Sequence, residues 1–116
     1  MKPCSFTKKE RLLKSQEFID AANKGKRFST KNLTIFIKSN NIGIRRLGLS
    51  VSRKVGAAVK RNRIKRYLRE FFRLNKEFFP PSSDISISVK QGASPSGYND
   101  VKEELTWFLT KIKKDV

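Results

Sequence analysis

Lys60-Arg61-Asn62-Arg63-Ile64-Lys65-Arg66-Tyr67-Leu68-Arg69-Glu70-Phe71-Phe72-Arg73 is the stretch around which the chain is organised. Seven of its fourteen residues are basic, yet the apolar ones are not scattered among them. Ile64, Tyr67, Leu68, Phe71 and Phe72 fall at i, i+3, i+4, i+7 and i+8, the spacing of one helical face. At about 100° per residue, Lys65, Arg66, Arg69 and Arg73 land on the opposite side, with Asn62 among them. One face is built to bury and the other to hold phosphates. The plainer alternative is a solvated basic face. Such faces normally mix signs, and here Glu70 alone offsets the cations.

The whole chain shares this bias. Its 116 residues include 27 Lys and Arg against 10 Asp and Glu, a formal net charge of +17. Self-repulsion on that scale disfavours a compact chain, so a polyanion is the expected partner, with nucleic acid ahead of an anionic membrane. The length fits a single domain with a modest core, for which 37% apolar residues and nine Phe suffice. No stretch approaches the roughly 18 apolar residues of a membrane-spanning helix. Residues 1–16 are charged and lack the apolar region of a signal peptide. One Cys allows no internal disulfide, and without His no common zinc constellation is available. A reducing cytoplasm is the expected location. The lack of His also removes the usual general base, which weighs against acid–base catalysis by this chain.

Residues 1–14 read as a basic, irregular arm in which Lys8, Lys9, Arg11 and Lys14 either touch phosphate or stay solvated. A short helix follows, capped by Ser15, with Glu17 in its first turn and Gly25 as its stop. It packs by Phe18 or its neighbours. Three strands then alternate with period two, over residues 33–38, 46–52 and 84–90. Each has a clean aliphatic face. The reverse faces read Thr34, Phe36, Lys38; Gly48, Ser50, Ser52; and Ser86, Ser88, Lys90. Such small side chains leave a shallow trough in which Phe36 is placed to stack a base. The alternative is the solvated face that antiparallel sheets often have.

The basic helix spans about residues 58–77 and ends before Pro80-Pro81, which cannot continue it. Strand, helix, strand predicts a crossover with two parallel strands. A last helix starts near Ser96 or Asn99 and buries Val101, Leu105, Phe108, Leu109 and Ile112. Trp107 lies off that stripe and is expected to pack partly rather than serve as a base platform. Asn40-Asn41-Ile42-Gly43 reads as a turn and residues 91–97 as a loop. Arg53-Lys54-Val55-Gly56 places cations at the mouth of the trough, where Arg forks onto two phosphate oxygens and Lys acts as a point charge. This layout suits two nucleic-acid segments, a single strand in the trough and a structured one on the helix.

Leu47-Gly48-Leu49-Ser50-Val51-Ser52-Arg53-Lys54-Val55-Gly56, then Ala58-Val59, Arg61-Asn62-Arg63-Ile64-Lys65-Arg66 and Leu68-Arg69-Glu70, resembles the signature of the bacterial ribonuclease P protein subunit family. Arg11-Leu12, Phe18 and Gly25 occur in the family's order, and the length and charge fit. The resemblance covers most of the chain, with the last helix matching in pattern alone. It implies an α/β (α+β) two-layer sandwich of order αβββαβα, similar to domain 2 of ribosomal protein S5. In that fold an unusual left-handed crossover carries the basic helix. It also implies a function: binding a catalytic RNA and assisting Mg²⁺-dependent removal of the 5′ leader from precursor tRNA. The chemistry would belong to the RNA and its bound Mg²⁺, with no organic cofactor and no required protein partner.

By position, the resemblance places Arg61, Asn62, Arg63, Lys65, Arg66 and Arg69 against the catalytic RNA. It places Phe18, Phe36, Ser50, Arg53, Lys54 and Lys90 along the leader cleft. Three residues depart from the family's pattern. Ala22 stands where many members have a second aromatic, Phe36 where many have Tyr, and Ala57 where an Asn usually follows the loop Gly. Phe36 keeps stacking and loses a hydroxyl, while Ala57 removes a side chain able to cap the basic helix. Two other functions fit the composition. One is a ribosome- or rRNA-binding structural protein. The other is a protein-only nuclease, which would need clustered carboxylates where this chain disperses its acids.

Overall fold

In the computed structural model of the chain, residues 10–11, 20 and 23–114 are described. Four strands form one sheet: β1 (Lys26–Ser29), β2 (Leu33–Ser39), β3 (Arg46–Ser50) and β4 (Ser83–Val89). Two helices, α1 (Ala58–Asn75) and α2 (Tyr98–Lys114), pack on it, and short 3₁₀ turns occupy Arg53–Val55 and Lys76–Phe78. The strand order is β1-β2-β4-β3. β4 runs antiparallel to β2 and parallel to β3. Parallel neighbours require the chain to return from one end of the sheet to the other. Here α1 makes that return, as the strand–helix–strand pattern predicts.

Alternation sorts the two faces of the sheet. Leu33, Ile35, Leu47, Ile85, Ile87 and Val89 are buried on one face. They meet Ile64, Leu68, Phe71 and Phe72 of α1 and the predicted stripe of α2, Val101, Leu105, Phe108, Leu109 and Ile112, in one core. Both helices thus share a face of the sheet. The start of α1 contributes little to its stability. Ala57 offers no side-chain cap, and the first turn has no acid. The buried stripe holds the helix instead, at about 1.5–3 kcal/mol for each large apolar side chain. Its other end is locked. Asn75 Nδ2 donates to the Phe71 carbonyl at 2.9 Å. Phe79 packs against Phe71 and Phe72 at centroid distances of 6.2 and 5.3 Å, and Pro80-Pro81 turns the chain into β4.

Several elements differ from the sequence expectation. β1 escapes the alternation test because it has four residues, with Phe28 as its sole apolar one. It holds by packing Phe28 edge-on to Phe108, 5.3 Å between centroids. As a third strand ahead of α1 it agrees with the order that the resemblance implies. β3 stops at Ser50 rather than Ser52. Val51 and Val55 are both buried, and the 3₁₀ turn between them takes Ser52 out of the strand. Trp107 is 54% exposed, with Lys111 Nζ 5.0 Å from its ring, so it packs less than expected.

At the N-terminal end, Glu10 pairs with Lys76 at 2.7 Å and Arg11 bridges to Leu47 in parallel, which ties this part of the expected arm to the sheet. Lys8, Lys9 and Lys14 lie outside the described residues, as do Ser15, Glu17, Phe18 and Ala22. Asp20, Asn23 and Lys24, from the expected first helix, have helical backbone.

Candidate nucleic-acid interface

Along α1, Asn62, Arg63, Arg66 and Arg69 are exposed and line an open concavity with Val59, Glu70 and Arg73. Glu70 pairs with Arg73. Arg63, Arg66 and Arg69 have no acidic partner among the described residues. The other two predicted helix cations sit on the flanks: one 100° step from Ile64 carries Lys65 to the edge of the buried stripe and not to the opposite side expected for it, and Arg61 falls nearer the stripe still. Arg61 turns back so that its Nε donates to the Gly56 carbonyl at 3.1 Å, and Lys65 is half-buried. Four of the six residues expected on this face therefore form one ridge.

The other face of the sheet carries the residues expected to line the trough, and the strand register sets them in rows. Arg27, Phe36, Ser86 and Gly48 stand side by side across the four strands. The next row is Ser29, Thr34, Ser88 and Ser50. Phe36 is half-buried and Ser50 exposed, while Gly48 and Ser86 are buried at the centre. Arg27 beside Phe36 went unnoticed in the sequence because β1 itself did. Since Ser50 and Ser88 are register partners, Arg53, Lys54 and Lys90 all follow the same end of the sheet.

The two ends of the trough are built differently. At the first, Arg53 and Lys54 are exposed on the 3₁₀ turn. Lys90 is tied down, its Nζ donating to Ser29 Oγ and the Thr30 carbonyl, each at 2.6 Å. Glu104 of α2 holds the same turn. It accepts from Asn32 N at 2.9 Å, from Asn32 Nδ2 at 2.8 Å, and from Thr30 Oγ1. At the far end, Lys38, Asp84 and Arg46 form a row. Arg46 forks onto Asp84 through Nε at 2.7 Å and Nη2 at 2.8 Å, and Asn40 Nδ2 donates to Asp84 at 2.8 Å. Burial pushes the Asp84 carboxyl up, but the hydrogen bonds from Arg46 and Asn40 and the charges of Arg46 and Lys38 outweigh it. The net pKa lies below the usual carboxylate value.

Sheet, crossover helix and two cationic surfaces define a class: a small basic α/β protein that presents charge on its surface rather than enclosing a substrate. The family model described as Ribonuclease P matches residues 6–113. The ribonuclease P protein component of Syntrophus aciditrophicus is 45% identical over 116 residues, covering 100% of this chain and 98% of that protein. That of Citrifermentans bemidjiense is 39% identical over 114 residues, covering 98% and 97%. The solved Staphylococcus aureus RNase P protein matches with a TM-score of 0.80 at 32% identity, covering 90% of this chain and 95% of that one. The Thermotoga maritima RNase P protein matches with a TM-score of 0.76 at 29% identity, covering 88% and 96%. The chain belongs to the ribonuclease P protein component family, whose members form the protein part of a ribonuclease.

Proposed function

We propose that this chain is the protein subunit of a ribonucleoprotein that cuts precursor tRNA. The α1 ridge binds the catalytic RNA, and the trough holds the 5′ leader. The observation that carries this reading is the ridge itself. Arg63, Arg66 and Arg69 stand exposed without an acidic partner among the described residues, and self-repelling cations kept that way suit phosphates. Asn62 adds a hydrogen-bonding amide among them, while Arg61 and Lys65 support the ridge from its flanks. In the trough, Phe36 stacks a base, Ser50 offers a hydroxyl, and Arg53, Lys54 and Lys90 draw the leader backbone. Phe18 is proposed there from the family pattern alone.

The RNA and its Mg²⁺ supply the hydrolysis of one phosphodiester bond, and this chain positions the substrate. Among the described residues no group of three or more metal-ligating side chains comes together. Asp84, buried at the trough's far end, is already engaged by Arg46. No helix among the described residues is long and apolar enough to cross a membrane, and we place the protein in the cytoplasm with its RNA partners.

The test is cleavage of a precursor tRNA by the cognate catalytic RNA at low Mg²⁺, with and without this protein. Strong stimulation is expected, with no cleavage by the protein alone. The protein-alone arm matters because a variant of the S. aureus protein is described as defective in mRNA degradation. Tight binding to ribosomal RNA without stimulation would favour the ribosomal alternative. Phe36→Ala should weaken precursor binding by about 1–3 kcal/mol, the range for a stacked base, and leave mature tRNA binding unchanged.

A further inference from the structure

Beyond its Arg46–Asp84 end the trough meets a second concavity. This groove lies on the helix-bearing side of β1 and β2, where α2 comes to its end. Its floor is apolar, built from Phe28, Ile37, Pro80, Pro81 and Ile112. Lys24, Lys26 and Lys38 rim it, and no acid among the described residues lines it. Lys24 and Lys26 are exposed, as are Ser39 and, at the edge of the floor, Pro81. Phe28 and Ile37 belong to the core side of the sheet, yet both remain only partly buried, which leaves apolar surface open between cations.

Lys38 joins the two concavities. It is the register partner of Asp84 on the trough face and also lines the groove. The carboxylate that would repel an RNA backbone at this point is neutralised by the Arg46 fork. A strand leaving the trough past Phe36 therefore meets Lys38 and then the groove without crossing an unpaired acid among the described residues.

We infer that the groove is a further nucleotide subsite, taking an unpaired leader nucleotide beyond those lying in the trough. Its base rests on the apolar floor and its phosphate sits among Lys24, Lys26 and Lys38. Flat apolar contact with cations at the edge is how single-stranded nucleic acid is held without sequence readout. The inference rests on the leader reading above and extends it. The simpler role for these lysines is to lay their alkyl stems over the apolar floor, and the experiment separates the two.

The probes are precursor tRNAs with 5′ leaders of about four and about twelve nucleotides, a span set by typical single-strand sites. Each is bound to the complex of this protein with its catalytic RNA. Lys24→Glu with Lys26→Glu should cancel the added affinity of the long leader, a loss of about tenfold, and leave the short leader unchanged. The salt slope for the long leader should fall by about 0.7 for each phosphate that is no longer neutralised, the single-strand value. Ser39→Glu, another exposed rim position, should act in the same direction. Equal losses for both leaders would overturn the subsite in favour of general charge. Unchanged binding of both, with melting as in the wild type, would leave the lysines as a cover for the floor. Phe36→Ala separates this from the parent reading. If it weakens both leaders while the lysine and Ser39 variants do nothing, the subsite alone fails; if it weakens neither, the trough reading fails and the subsite with it.

Discussion

At the far end of the sheet, Arg46 forks onto Asp84 at 2.7 and 2.8 Å, and Arg45 donates to the Phe79 carbonyl at 2.8 Å. On α1, Arg63, Arg66 and Arg69 stand in solvent with no acidic partner among the described residues. The same side-chain type does two jobs. The sheet-end arginines tie together β3, β4 and the loop that follows α1, and Asp84 neutralises the charge of Arg46 inside the fold. The ridge arginines lie three residues apart and repel one another, each pair costing a few tenths of a kcal/mol. Their field reaches outward over a Debye length of about 8 Å at physiological salt. Charge engaged by the fold stabilises it, and charge left unpaired is available to a partner.

Three substitutions test this contrast. The largest effect is expected for Asp84→Ala. Removing one member of a fully buried pair costs about 3–5 kcal/mol. Because the Arg46 side chain keeps 20% exposure, about 3 kcal/mol is expected here, read as a lower urea midpoint. An unchanged midpoint would show that the sheet-end pair contributes nothing. Next is Arg63→Ala with Arg66→Ala. Stability should stay within about 0.5 kcal/mol of the wild type, as for surface changes generally. Catalytic-RNA binding should weaken by about 2 kcal/mol, the scale of one charged hydrogen bond, with a shallower salt dependence. Wild-type affinity and slope in the double variant would sink the ridge assignment.

The smallest effect is one of pH. The folded-state pKa of Asp84 is depressed, so its ionised form stabilises the fold above the ordinary carboxylate pKa of about 3.9. That contribution fades as pH falls through the folded-state value. The stability gap between the wild type and Asp84→Asn should therefore be full near neutrality and shrink in acid. The ridge double variant should keep the wild-type pH profile. A gap that stayed constant into acid would remove the charge from the account of the sheet-end pair.

Much of this was legible beforehand for a physical reason. α1 is long enough for its 3.6-residue period to separate Ile64, Leu68, Phe71 and Phe72 from Asn62, Arg66 and Arg69. β2, β3 and β4 are long enough for alternation to show. The parallel pairing of β3 with β4 follows from one helix lying between two strands. Lys65 is expected on the exposed face from the helical step and Arg61 from the resemblance, yet both are half-buried on its flanks, nearer the buried stripe.

The sequence by itself therefore determined the two-faced helix, the three longer strands, the crossover and the family. Each is written in spacing along a continuous stretch. Only the tertiary structure decided which cations are engaged and which are free. Arg46 and Asp84 are 38 residues apart, and Glu104 reaches Asn32 across 72. Such pairings depend on strand order and register, which no local period encodes. The same holds for Arg27 beside Phe36 and for the groove under Lys38. Both are formed by a four-residue strand too short to announce itself, held in place by packing against a helix at the other end of the chain.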